Sequence, residues 1–148
     1  MEDRYLYRAK RCDNGEWVQG ALFNGESHCI IGQEIKFSPY TEHECKIVGY
    51  EVDRDTICQC TGLKDKNGKL IWENDVVKKE FYTDYDNCAN SEEYVGVVKY
   101  TDCAWVIETI RDKCTRPILE AMSYSEDVKH FEVIGNIFDN PELLESEG

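Results

Sequence analysis

Cations are scarce in this chain. Thirty Asp and Glu stand against 17 Lys and Arg, a formal net charge of −13 over 148 residues. A surface of that sign repels nucleic-acid phosphates and anionic membranes, which excludes ordinary direct nucleic-acid binding and membrane association. Long apolar runs are lacking as well, and no stretch approaches the ~20 residues of a membrane helix. The opening MEDRYLYRAK is charged where a leader would carry an apolar core, so a cytosolic setting with reduced thiols is expected. No C-x-x-C pair occurs, which removes the main support for thioredoxin and zinc-ribbon readings. A phosphate loop and a G-x-G-x-x-G run are also missing. His28 and Cys29 are adjacent, so on a strand they point to opposite faces and form no direct nucleophile–base pair. No catalytic residue and no cofactor is expected.

Eight cysteines are nevertheless many for this length. Cys58 and Cys60, two apart in TICQC, share one face of a strand. With His43 and Cys45 they make a possible four-ligand zinc set. Zinc ligand pairs usually carry a turn-forming spacing that is missing here, so the thiols are read as small buried hydrophobes and no metal is expected. Asp84-x-Asp86 and Glu92-Glu93 lack the Gly and Glu spacing of a calcium loop and are read as solvated acids.

Period-two alternation dominates the N-terminal third. Tyr5, Tyr7 and Ala9 alternate with polar neighbours, Asp13-Asn14-Gly15 signals a turn, and Glu16 to Phe23 resumes as a strand, with Trp17, Ala21 and Phe23 on one face. Cys45 to Val52 and Thr56 to Cys60 read as strands split by Asp53-Arg54-Asp55. Asn67-Gly68 is the strongest hairpin signal and predicts a type I′ turn with φ > 0 at both residues. Asn74 is placed for a left-handed corner. Residues 81–94 show no period and read as a long surface loop. Val95 to Tyr100 and Trp105 to Ile110 are the next strands. Residues 116–127 read as a short helix, with Ile118, Leu119 and Met122 at helical spacing. His130 to Phe138 is a final strand, and Asn140-Pro141 a helical cap.

Because cations are few, their clustering points to binding. Arg111, Lys113 and Arg116 follow Trp105, and arginine both grips anions bidentately and stacks on aromatic planes. Arg8 and Trp17 are placed to meet across the first hairpin as a cation–π pair. Tyr82 and Tyr85, in the 81–94 segment, are candidates for a partner surface, since tyrosine is favoured at interfaces.

Three blocks carry a family resemblance. YRAK with WVQG (7–10 and 17–20), TGLKDKNGKLIWENDVV (61–77) and HFEVIGNIFDNPELL (130–144) resemble, in order, the blocks of the YopX family of phage and prophage proteins. Two positions depart from it: Lys10 stands where the family has an aromatic residue, and Asn74 where it has Gly. The resemblance implies a mostly-β fold with minor α. An N-terminal α+β part (1–60) would pack on a C-terminal SH3-like β-barrel (61–148), which carries the 81–94 loop and the 116–127 helix. It implies a tendency to form homo-oligomers and no established activity. The expectation is a phage-encoded, non-enzymatic binding protein in the host cytoplasm that engages or sequesters a host protein or a small anionic nucleotide-type signal. The alternatives are an acidic DNA mimic directed at a host nucleic-acid-binding protein and a nucleotide-processing enzyme.

Overall fold

The computed structural model describes residues 3–41, 43–85, 88–118 and 131–145, with backbone alone for 80–94 and 116–117. They form two compact units, Met1–Cys60 and Thr61–Gly148. The fold is mostly β and antiparallel. Among the described residues the only helical segments are three short 3-10 turns. None is long and apolar enough to cross a membrane.

In the first unit, β1 (Tyr7–Lys10), β2 (Trp17–Asn24), β3 (Cys29–Phe37), β4 (Cys45–Glu51) and the start of β5 (Cys58–Lys64) lie in the order β4-β3-β2-β1-β5. Alternation buries Ala9, Cys29, Ile31 and Val52 in one cluster, with Tyr7, Val18, Leu22 and Ile57 packed around it. The β1–β2 turn closes on Gly15 at φ 73°, whose N–H donates to the Arg11 carbonyl at 2.9 Å. Gly32 and Glu34 bracket a register shift between β3 and β4. Gly49 sits opposite, where a Cβ would come within 2.3 Å of the Ile31 carbonyl oxygen. Only glycine allows that approach. Past β4 the sheet curls back on β1. Arg11 bridges Val52, the Asp53 N–H donates to the Lys10 carbonyl at 2.8 Å, and the Cys12 N–H donates to the Glu51 carbonyl at 3.0 Å. Asp53 caps the following 3-10 turn (Arg54–Thr56) by accepting the Asp55 N–H. Helix in the described part of this unit amounts to that turn and Asp3–Tyr5, so the α component expected here is reduced to 3-10 geometry.

In the second unit β6 spans Leu70–Trp72. A five-stranded sheet runs β10-β9-β8-β7-β11, with β7 Asp75–Tyr85, β8 Cys88–Thr101, β9 Ala104–Thr109, β10 Thr115–Pro117 and β11 Phe131–Asn136. Among the described residues β10 and β11 remain its two edges, so the sheet is open. Ile71, Val77, Val98, Ile107, Ile118 and Phe131 form the core on one face; Val76, Val97 and Ile110 form a second cluster.

Four expectations change in this unit. Residues 81–85 and 88–94 are strand: β7 and β8 stay paired from Val76–Val97 out to Tyr85–Cys88. The register set in the core continues outward along the backbone ladder, which forms without regard to hydrophobic period. At 115–117 the chain is strand β10, paired with β9 from Glu108 to Val106, and not the start of a helix. The rest of that predicted helix, 119–127, lies outside the described residues. The Asn67-Gly68 turn is not type I′, because only Gly68 has positive φ (80°). The Asp65 carboxylate accepts the N–H groups of Asn67 and Lys69, both at 2.9 Å, while Gly68 N–H donates to the Asp65 carbonyl at 3.0 Å. The side chain thus holds Asn67 in ordinary turn geometry and leaves one left-handed residue. Asn74 does take the predicted left-handed corner, at φ 65°. Asn140 precedes the 3-10 turn Pro141–Leu144 without capping it through its side chain, which instead accepts the Asn136 N–H at 3.3 Å.

Candidate functional site

Strand alternation turns Ala9 into the first unit's core and sets Arg8 and Lys10 on the other face of β1. Trp17 is directly opposite Lys10, and Gln19 opposite Arg8. The indole receives both cations: the Arg8 guanidinium carbon lies 4.8 Å from its ring centre and the Lys10 ammonium 5.5 Å. The predicted Arg8–Trp17 pair therefore forms. Lys10, the departure from the family's aromatic residue, joins the same stack.

Beside Lys10 the curl of β4 onto β1 opens a cleft of about 520 Å³, lined by Lys10, Arg11, Cys12, His28, Glu51, Asp53 and Arg54. Arg11 lies over the Tyr50 ring at 3.9 Å and forks onto Asp13 through Nε (2.9 Å) and Nη2 (2.5 Å). That pairing holds the Asp13 carboxyl below the usual range and raises the guanidinium further above its own. Arg54 reaches back to donate to the Gly25 carbonyl at 2.8 Å and the Glu26 carbonyl at 3.4 Å. His28 Nδ1 meets Glu51 Oε1 at 2.7 Å, with both side chains exposed. Three permanent cations gather here against Glu51, Asp53 and the Asp13 that Arg11 holds, on a chain of net charge −13. The cleft is locally balanced on a strongly acidic chain.

A histidine oriented by a carboxylate and a thiol in one cleft are the parts of a nucleophilic site. However, burial and the nearby Glu51, Asp53 and Asp13 carboxylates push the Cys12 thiol up. The thiolate is the reactive form, and this setting suppresses it. Guanidinium groups over aromatic rings instead suit an anionic, planar ligand.

The second predicted cluster is spread along β9, the turn after it and β10. Trp105 stands near the start of β9, half-buried against the core and edge-on to Tyr100 at 5.1 Å. Arg111 lies beyond the end of β9, four strand residues or roughly 13 Å along. Lys113 occupies a tight turn at φ 54°, its N–H donating to the Thr109 carbonyl at 3.1 Å. Asp112 organises that turn by accepting from the Thr109 hydroxyl and the Cys114 N–H, which keeps its carboxyl low. Arg116 is on β10 opposite Ile107. Tyr82 and Tyr85 lie on the outer arm of β7, opposite Ser91 and Cys88. Cys58 and Cys60 are buried on β5, while His43 and Cys45 are exposed. Among the described residues no group of three or more His, Cys, Asp or Glu side chains is placed to hold a metal.

Arg11, Tyr50 and Arg54 escape sequence reading. One local signal points to the first: RAKR places Arg8, Lys10 and Arg11 within four residues of a cation-poor chain. Tyr50 and Arg54 join them only through the Arg11–Val52 bridge, which no local pattern encodes.

Comparison with known proteins locates the chain. The family model described as YopX protein matches residues 6–145. The crystal structure of protein EF1440 from Enterococcus faecalis is similar over 94% of this chain and 96% of that one, with a TM-score of 0.58 and 27% sequence identity. No curated protein matches.

Proposed function

We propose that this chain, which belongs to the YopX family, is a phage-encoded, non-enzymatic binding protein that works as a homo-oligomer in the host cytoplasm. It engages or sequesters a host factor, and the class the site suits best is a small anionic nucleotide-type signal. The second unit's open sheet is read as the family's SH3-like barrel part. One observation carries the ligand assignment: Lys10, Arg11 and Arg54 converge on an open cleft beside the Trp17 stack, on a strongly acidic body. Phosphate charge meets the Lys10 ammonium and exchanges with Asp13 on the Arg11 fork and with the backbone carbonyls on Arg54, and a base stacks on Trp17 beside the cleft. The suppressed thiol of Cys12 supports binding without turnover.

Native mass spectrometry of the protein purified from infected cells tests this reading. The expected species is an oligomer with a retained anionic small molecule, and Arg11→Ala and Arg54→Ala lose that mass. A retained host protein in its place assigns the alternative host factor. The net charge of −13 supports a second reading, a DNA mimic bound to a basic host protein. Partner binding would then fade steeply with salt and ignore Arg11→Ala.

A further inference from the structure

We infer that β4 is the seam of a two-fold homodimer, pairing antiparallel with β4 of a second copy about Ile47; this rests on the homo-oligomer reading above and names its surface. β4 is the edge strand of the first unit's sheet, and all seven of its residues are exposed. Apolar side chains cluster there: Ile47 is 37% exposed, Val48 36%, and on neighbouring β3 Ile35 is 50% and Phe37 76%. An exposed apolar edge without proline is a template for another strand.

The hydrogen-bond phase selects the register. The Ser38 N–H donates to the Glu44 carbonyl, and the Val52 N–H to the Cys29 carbonyl, both at 2.9 Å. With Lys36 opposite Lys46, Glu34 opposite Val48 and Ile31 opposite Tyr50, the antiparallel ladder turns the backbone groups of Lys46, Val48 and Tyr50 toward β3. Those of Cys45, Ile47, Gly49 and Glu51 face outward. Cys12 already holds the Glu51 carbonyl. The remaining outward residues, Cys45, Ile47 and Gly49, are symmetric about Ile47. A second copy set Ile47 against Ile47 and Cys45 against Gly49 satisfies every donor and acceptor of the three. A register centred on Val48 would set Cys45 against Glu51, whose carbonyl is taken.

Side chains agree with that choice. Ile35 is opposite Ile47 and Phe37 opposite Cys45, so the apolar strips of two copies join across the seam. On the other face Val48 lies between Glu34 and Lys46 of the second copy. The lysine stem lies over Val48 and brings its ammonium to the carboxylate, an intermolecular charge match.

Cysteine cross-linking reads the register. Ile47→Cys places two thiols at a directly opposed pair, ~5.5 Å between Cα atoms, within disulfide range. Val48→Cys places them diagonally, ~7–8 Å apart. Native Cys45 residues are four positions out of register, about 14 Å. Under copper-phenanthroline, Ile47→Cys should give at least tenfold more covalent dimer than Val48→Cys or the unmodified protein. Ile47→Pro removes an outward donor while sparing the β3 ladder, so it should sediment as monomer with an unchanged circular dichroism spectrum. Dimer cross-linked equally through Val48→Cys, or an oligomer that survives Ile47→Pro, overturns the seam and leaves the homo-oligomer reading standing. An unmodified protein that sediments as monomer overturns both.

Discussion

The Arg11 guanidinium lies 3.9 Å from the centre of the Tyr50 ring and at the same time forks onto Asp13. The two aromatic–cation partners are 39 positions apart and meet because the end of β4 bridges back to β1. One side of the cleft is thereby built in advance of any ligand, with its guanidinium plane already oriented. Arg11→Lys keeps the charge but loses the planar fork and the stack. It should reduce ligand retention at least tenfold in native mass spectrometry while leaving the fold intact by circular dichroism. Retention equal to the unmodified protein would place the ligand elsewhere.

Trp17 holds two cations in a chain that has few. Trp17→Ala should destabilise the protein by about 2–3 kcal/mol, from lost aromatic packing and two cation–π contacts. Trp17→Phe keeps a ring face and should cost less than half of that. Urea unfolding of the two variants, compared by midpoint at constant slope, measures the difference.

Asp65 ties the 65–69 turn to β11. Its carboxylate accepts the N–H of Val133 at 3.0 Å as well as those of Asn67 and Lys69. Burial pushes the carboxyl up, but these backbone donors outweigh it and hold the group below its ordinary range. A depressed folded pKa contributes stability above the unfolded value of ~3.9, and that stability is lost as pH falls through the folded value. Asp65→Asn should therefore be destabilised by about 1–3 kcal/mol at pH 7, with the gap narrowing below pH ~4. Urea midpoints from pH 7 to pH 3 follow the gap; a constant gap would show that charge plays no part.

Asn74 occupies a left-handed corner at φ 65°, with its N–H on the Val98 carbonyl at 2.8 Å and its carbonyl accepting from Ile137 at 3.1 Å. Asn74→Gly should be neutral within ~0.5 kcal/mol, because glycine reaches that geometry freely. Asn74→Ala should cost about 1 kcal/mol. Thermal midpoints of the pair test the assignment.

What was legible in the sequence divides by range. Asn74 at its corner, the Arg8–Trp17 contact and the strand breaks at Asp53-Arg54-Asp55 all depend on neighbours in the chain or across one hairpin, where period and turn chemistry act directly. The outer arm of β7 and β8 was not legible, since ladder pairing there continues from Val76 and Val97 without a hydrophobic period. The Asn67-Gly68 turn type depended on the Asp65 side chain, a competitor that the dipeptide does not reveal. Trp105 and Arg111 are set apart because linear proximity along a strand is distance in space. The cleft of Arg11 and Arg54, with Tyr50 stacked on Arg11, depends on a bridge between residues 11 and 52, which local pattern cannot report.

The most direct test of the proposed binding role is native mass spectrometry of the protein purified from infected cells, run beside Arg11→Ala and Arg54→Ala. The account predicts an oligomer carrying a bound anionic small molecule in the unmodified protein and a bare oligomer in both variants. A bare monomer in all three samples would contradict it.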